Sequence, residues 1–102
     1  MPLHLLLMKI RDFQEQIRRT YFDRDHRRGV ENNFLWFTEE VGELAEAIRK
    51  RDSDSMKEEM ADVLAWLATL ANLLEIDLEA AAKEKYGEGC SRCGKSPCGC
   101  PE

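Results

Sequence analysis

The chain has 102 residues, which is enough for one domain with a single small core. Its 43% hydrophobic and 34% charged residues are typical of a globular protein and exclude wholesale disorder. Its net charge of −5 argues against general nucleic-acid binding, which needs a basic surface, and favours the binding of cations.

Neither a membrane span nor a secretion signal is expected. The longest apolar run, Met60 to Leu74, is too short to cross a bilayer and is interrupted by Asp62, Thr69 and Asn72. The apolar start of the chain lacks a preceding basic region and a following cleavage site, so we predict a cytoplasmic protein. In that compartment cysteines serve as metal ligands or free thiols more often than as structural disulfides.

Apolar residues at helical spacing predict a first helix from Leu3 to about Phe22. Its apolar stripe consists of Leu6, Ile10, Phe13, Ile17 and Tyr21. The segment 23–29 follows, with six charged or titratable side chains and a glycine, and is predicted to be a loop.

Three further helices are predicted. The second runs from about Glu31 to Arg51. Ser55, followed three residues later by Glu58, fits a capping box and predicts the start of the third helix, which extends to about Glu75. A short fourth helix is predicted to have Asp77 as its N-cap and to end at Tyr86, with Gly87 as a left-handed stop.

These helices, joined by short loops, predict an all-α fold, an antiparallel bundle of three to four helices. The third helix is apolar on nearly every face between Met60 and Leu74, so we expect it to be buried all round, with a partner subunit covering one side. Residues 1–87 would form this helical domain. Residues 88–102, rich in cysteine, glycine and proline, would form a separate tail.

Acidic residues recur at helical spacing on the second and third helices. Antiparallel packing can turn two such sets toward each other; they comprise Glu39, Glu40 and Glu43 on the second helix and Glu58, Glu59 and Asp62 on the third. Glu46 and Glu58 are interpreted as solvent-facing. Asp62 lies among apolar residues, where a buried carboxylate needs an arginine or a metal as its partner. Gly42, inside a strong helix, suggests close backbone approach or room for a ligand.

Carboxylate oxygens favour Mg²⁺, Mn²⁺ or Ca²⁺. A di-iron bundle would need Glu-x-x-His pairs, and neither His4 nor His26 lies three residues after a glutamate.

Two segments, Trp36 to Ala47 and Glu58 to Leu64, resemble the MazG-like nucleoside triphosphate pyrophosphohydrolases of the all-α NTP pyrophosphatase superfamily. The signature of that superfamily is Glu-Glu-x-x-Glu, a spacer, and Glu-x-x-Asp. It is matched here by Glu39, Glu40, Glu43, Glu59 and Asp62.

The resemblance implies a helical bundle that assembles as a dimer or tetramer and hydrolyses an NTP or dNTP to the monophosphate and pyrophosphate. It further implies Mg²⁺ as the usual metal (Mn²⁺ as an alternative) and a role in nucleotide-pool house-cleaning. Under it, Glu39 is an outer ligand or orients the attacking water, and the metal ligands are Glu40, Glu43, Glu59 and Asp62. Two other interpretations remain: a non-catalytic module that binds nucleotide and metal, and an interaction protein acting through its tail.

Each residue that could contact the substrate has two interpretations. Trp36 and Trp66 either stack on a nucleobase or fill the core or an interface. Asn72 either reads a base or sugar edge or forms hydrogen bonds inside the bundle. The basic residues are either phosphate clamps or solvated surface; they are Arg24, Arg27, Arg28, Lys83 and Lys85.

The tail carries Cys90-x-x-Cys93 and Cys98-x-Cys100. Four thiolates are enough for one tetrahedral zinc ion, although the second pair is unusually tight. Zinc, free thiols and disulfides are the three interpretations of these residues.

Overall fold

The computed structural model describes residues 8–102, and all regular secondary structure in that part of the chain is α-helical. The helices are α1 (Ile10–Arg28), α2 (Val30–Lys50), α3 (Ser53–Leu73) and α4 (Leu78–Tyr86). Helix α3 packs against both α1 and α2, and α4 packs on α1. The all-α prediction is confirmed. The predicted beginning of the first helix at Leu3, with Leu6, lies outside the described residues.

Among residues 8–102, the structure has no helix with both the length and the hydropathy needed to cross a membrane.

The predicted loop over residues 23–29 is wrong, because α1 continues through it to Arg28. Two of its charged residues, Asp25 and Arg28, form polar contacts within the fold. Asp25 is buried and accepts a hydrogen bond of 2.9 Å from the hydroxyl of Thr69 on α3. The basic residues His26, Arg27 and Arg28 occupy the last turn, where the negative end of the helix dipole stabilises positive charge.

A single residue, Gly29, separates α1 from α2, and its φ of 87° is accessible to few other residues. The side-chain amide of the fully buried Asn33 donates to the carbonyls of Asp25 and Gly29, both at 2.8 Å. Each of these carbonyls also accepts a backbone N–H, from Gly29 and from Asn33 respectively, so the side chain adds a second hydrogen bond to each and ties the end of α1 to the start of α2.

Helices α2 and α3 form a hairpin with a connection of only Arg51 and Asp52. Arg51 adopts the left-handed conformation (φ 54°, ψ 33°) that ends α2. The Asp52 carboxylate accepts the backbone N–H of Ser55 at 3.3 Å and is the N-cap of α3. The predicted cap at Ser55 is therefore wrong, since Asp52 already satisfies the amide of Ser55 and places that residue inside the helix.

This short connection also sets the register of the two helices. Glu43 and Glu59 each stand eight residues from Arg51, and Glu40 and Asp62 each stand eleven residues from it. Because both helices rise about 1.5 Å per residue, members of each pair lie at the same height along the hairpin.

The predicted N-cap of α4 is confirmed, since Asp77 accepts the N–H of Ala80 at 3.1 Å. The predicted left-handed stop at Gly87 is wrong, because Gly87 remains right-handed with a φ of −60°. Glycine is needed there for space, since a Cβ would collide with the carbonyl oxygen of Lys83. The positive φ of 121° comes two residues later, at Gly89.

The expectation that α3 is buried all round is wrong for one chain. Met60, Leu64 and Leu67 are 54%, 45% and 39% exposed. The buried apolar residues are few: Ala68, Leu70 and Ala71 lie toward the C-terminal end of α3, and Ile17 of α1 and Ala47 of α2 complete the set. One chain thus leaves part of the apolar surface of α3 uncovered, and the predicted partner subunit stays a prediction.

The left-handed Arg51 makes a test of the hairpin possible. Replacing it by glycine removes the steric penalty of a side chain at positive φ, and Arg51→Gly should raise the free energy of unfolding by about 0.5–1 kcal/mol. The same change at the exposed, right-handed Lys57 of α3 should lower it by about the same amount. Urea denaturation of both variants measures the difference. A loss of stability in Arg51→Gly would contradict the hairpin geometry.

Candidate active site

Three carboxylates meet where α2 packs against α3. Glu40, Glu43 and Glu59 each offer an oxygen, and these three oxygens lie within 4.8 Å of one another. Glu40 and Glu43 are one turn apart on α2, and the hairpin register brings Glu59 opposite them. The structure thus brings together three of the four predicted metal ligands.

Within this cluster, one oxygen of Glu40 and one of Glu59 (Oε2 in each) are buried without a hydrogen-bond partner in the described chain. Burial is the largest cause that raises the pKa of Glu40, to about 7, and contact with Glu59 and the charge of Glu43 add to it. Unsatisfied buried oxygens among like charges are unfavourable unless they are protonated or bound to a cation. The donor set, all carboxylate oxygen, fits a hard divalent ion such as Mg²⁺.

The remaining signature acids lie outside this three-oxygen group. Asp62 stands one turn from Glu59 on α3, and its charge contributes to the raised pKa of Glu40. It is exposed rather than buried as expected, because the buried stretch of α3 begins only at Ala68. Glu39 is exposed beside the cluster. Their roles as ligand and as water-orienting group stay predictions.

Two neighbouring features of α2 can be compared with their predictions. Glu46 is exposed as predicted and pairs with Lys50 at 3.1 Å, a hydrogen bond that lowers the pKa of Glu46. A Cβ built on Gly42 would meet no described atom within 4 Å. Close backbone approach within the chain is therefore not the reason for this glycine, whereas open space beside the cluster leaves room for a ligand.

Asp62 also lines a cleft of about 220 Å³ between α1 and α3. The α1 side of the cleft carries two cations, Arg24 and Arg28, and the α3 side carries Trp66. The cleft thus places positive charge next to a carboxylate of the signature, an arrangement suited to a phosphate group that approaches a bound cation.

The two tryptophans lie together rather than separately. The rings of Trp36 on α2 and Trp66 on α3 stack at 6.0 Å between centroids and 17° between planes. The guanidinium of Arg28 lies 5.5 Å from the first centroid and 5.4 Å from the second. Arg28 is also held by Asn33 at 3.1 Å and by Asp25 at 3.6 Å, so it is positioned as it faces the cleft.

Three of the predicted substrate contacts are placed elsewhere. The side-chain amide of Gln14 donates to the side-chain oxygen of Asn72 at 3.0 Å, and the side-chain amide of Asn72 donates to the backbone carbonyl of Gln14 at 3.2 Å. The structure thus shows Asn72 in hydrogen bonds within the bundle. On α4, Lys83 pairs with Glu79 at 3.7 Å and Lys85 lies over the ring of Tyr86. These contacts lie where α1 meets α4 and the end of α3, away from the carboxylate cluster.

Sequence reasoning missed several residues of the cleft, notably Tyr21, Asp25 and Thr69. A signal was present, because the cleft residues Ile17, Tyr21, Arg24 and Arg28 follow one another at spacings of three and four along α1. That periodicity continues through the segment whose charge content predicted a loop.

The four cysteines of the tail form a second cluster. Their four sulfur atoms all lie within 4.8 Å of one another, and none of them forms a disulfide bond. Hydrogen bonds from the backbone of Cys93 and Arg92 lower the pKa of Cys90 to about 6. The carboxylates are thus on α2 and α3, and the thiols follow the end of α4.

Comparison with protein families gives one match. The model of the MazG nucleotide pyrophosphohydrolase domain matches residues 28–92, more than half of the chain. The matched region contains all of α2, α3 and α4, and with them the five signature acids. No curated protein matches the chain.

The raised pKa of Glu40 predicts how stability varies with pH in the absence of metal. In the folded chain the carboxyl group of Glu40 keeps its proton up to about pH 7, whereas its ordinary pKa is 4.5. The stability that this proton provides is fully present below pH 4.5 and is lost as the pH rises through about 7. Glu40→Gln should remove this loss, so at about pH 8 its free energy of unfolding should exceed that of the wild type by on the order of 1 kcal/mol. At about pH 5 the difference should be smaller.

Thermal melts with a chelator at the two pH values measure the effect, and Glu58→Gln, which neutralises an exposed acid of α3, is the control. Added Mg²⁺ should stabilise the wild type more than Glu40→Gln. An identical pH profile for all three proteins would contradict the buried, repelling cluster.

Proposed function

This chain belongs to the MazG nucleotide pyrophosphohydrolase family, and we propose that it hydrolyses nucleoside triphosphates to the monophosphate and pyrophosphate in a metal-dependent reaction. The observation that carries the proposal is the cluster of Glu40, Glu43 and Glu59, with two buried oxygens that lack partners in the described chain. Clustered negative charges repel a polyanionic substrate, and a bound divalent cation neutralises that repulsion.

In this proposal Glu40, Glu43 and Glu59 hold Mg²⁺ or Mn²⁺, with Asp62 as a further ligand. The bound ion would neutralise phosphate charge and lower the pKa of an attacking water. Glu39, exposed beside the cluster, would accept a hydrogen bond from that water and orient it.

The cleft beside Asp62 supplies groups for the rest of the substrate. Arg24 and Arg28 offer guanidinium donors to phosphate oxygens. Trp36 stacks on Trp66 but remains 48% exposed, which leaves aromatic surface for a nucleobase. Both NTPs and dNTPs are candidate substrates. The proposed house-cleaning role would be tested with a panel of standard and modified nucleotides.

The carboxylates can be tested separately from the fold. Glu43→Gln and Asp62→Asn should each reduce Mg²⁺-dependent hydrolysis by roughly 100-fold or more, because each removes a charged ligand of the ion. Their helical circular dichroism should be unchanged, since both side chains are exposed. The measurement resolves the monophosphate and pyrophosphate by ion-exchange chromatography.

Glu46→Gln is the matched control, because Glu46 is on the same helix but pairs with Lys50 outside the cluster. It should keep wild-type activity. Full activity in both Glu43→Gln and Asp62→Asn would contradict the assignment, and a wild type that binds nucleotide without turnover would indicate a non-catalytic module.

We also propose that a second copy of the chain covers the exposed apolar surface of α2 and α3. Five apolar side chains there are between 39% and 63% exposed; they are Phe34, Leu35, Met60, Leu64 and Leu67. An apolar surface of this kind on a chain with so small a core is typical of subunits that share a core. The family resemblance supports the same partner, a homodimer or a homotetramer.

Sedimentation equilibrium at micromolar concentration should therefore give a mass at least twice the 11.8 kDa of one chain. Leu64→Glu should shift the equilibrium toward monomer, because association would bury its charge. Ala81→Glu, with the same charge change on the exposed face of α4, should not. A stable, folded wild-type monomer would contradict the proposal.

A further inference from the structure

We propose that the tail of this protein is a zinc loop, in which Cys90, Cys93, Cys98 and Cys100 bind one Zn²⁺ tetrahedrally. The inference does not depend on the proposed hydrolysis, because the thiols and the carboxylates are separate groups on separate parts of the chain.

The spacing of the sulfur atoms is the first argument. Zinc binds thiolates at about 2.3 Å, so two sulfurs of a regular tetrahedral site stand about 3.8 Å apart. The sulfurs of Cys90 and Cys100 are 3.8 Å apart, and those of Cys90 and Cys98 are 3.5 Å apart. All four sulfurs fit within 4.8 Å. The four sulfurs of the described tail therefore lie close enough together for a single zinc ion to bind all of them.

The backbone around the sulfurs is the second argument. The N–H groups of Arg92, Gly99 and Cys100 donate to the sulfurs of Cys90, Cys93 and Cys98, at 3.4, 3.3 and 3.3 Å. Such donors stabilise negative charge on sulfur and orient it, as groups around the ligands of a metal site do. Arg92 and Cys100 each follow their cysteine by two residues, and Gly99 follows Cys93 by six, so all three donors come from within the tail itself.

A tight turn over residues 90–95 makes this arrangement possible. Gly94 donates its backbone N–H to the carbonyl of Cys90 at 2.8 Å, and Cys90 donates to the carbonyl of Lys95 at 3.1 Å. Gly94 has a φ of 72°, which a residue with a side chain rarely adopts. A Cβ built on Gly99 would lie 2.9 Å from the Lys95 side chain, so glycine leaves room for that side chain between Cys98 and Cys100.

The charges of the tail also favour a bound metal ion. As thiolates, four converging sulfurs would repel one another, and the cations Arg92 and Lys95 of the same tail would offset only part of that charge. A soft divalent ion would complete the compensation, and zinc prefers sulfur whereas Mg²⁺ prefers the oxygens of the carboxylate cluster. Residues 88–102 are too few to form a hydrophobic core, so a bound metal is a sufficient reason for their compact turns.

The test uses the full chain, purified under reducing conditions and loaded with Zn²⁺ or Co²⁺. Metal analysis should find about one Zn²⁺ per chain after a desalting step, and Co²⁺ should give the visible bands of a tetrahedral ion with sulfur-to-cobalt charge transfer. The double variant Cys93→Ser/Cys98→Ser should lose both signals and keep its helical circular dichroism. Ser91→Ala, a change between two cysteines, should keep both signals.

Three results would overturn the proposal: no zinc retained by the wild type, zinc retained by the double cysteine variant, or cobalt bound without the sulfur charge-transfer band. A Glu43→Gln variant must keep its zinc, since loss there would assign the ion to the carboxylates. Because Glu43→Gln abolishes hydrolysis in the proposed function, the two assignments can fail independently.

Discussion

The mutual repulsion of Glu40, Glu43 and Glu59 is the interaction on which the proposed chemistry depends. The hairpin holds their oxygens within 4.8 Å by geometry alone, since its two-residue connection sets the heights of the acids on α2 and α3. Helix packing supplies the free energy that keeps them together, and the cluster stores part of it as electrostatic strain. A divalent ion would relieve that strain, so the same constraint that destabilises the metal-free site supports metal binding.

A polar network connects the cleft beside Asp62 to the junction between α1 and α2. Asn33 closes the end of α1, Thr69 of α3 donates to Asp25, and Arg28 contacts both Asn33 and Asp25 while it lies over the stacked tryptophans. Every member therefore has a partner despite its burial, which limits the free energy lost on desolvation. The consequence for function is that a cationic side chain is held rigidly beside the cleft.

One short chain carries two groups of residues that could hold a metal ion, and their donor atoms differ in character. The helices carry hard oxygen donors whose positions depend on the packing of α2 against α3. The tail carries soft sulfur donors whose positions depend on local turns and on hydrogen bonds from neighbouring amides. In the two proposals, this difference in donor atoms would let the carboxylates select a hard cation and the thiols a softer one from the same solution.

Local spacing along the chain was enough to predict four helices, the signature acids and the cysteine-rich tail, although not every helix boundary. The second helix, predicted over Glu31 to Arg51, forms as Val30–Lys50, and the N-cap at Asp77 is where it was expected. The packing of α1 against α3 accounts for the continuation of α1 through a charged segment, since the buried Asp25 has its partner in Thr69, which is distant in sequence. The tertiary structure also decided that Asn72 bonds to Gln14 and that Asp62 faces the cleft, because such contacts depend on how helices pack and local periodicity does not specify them.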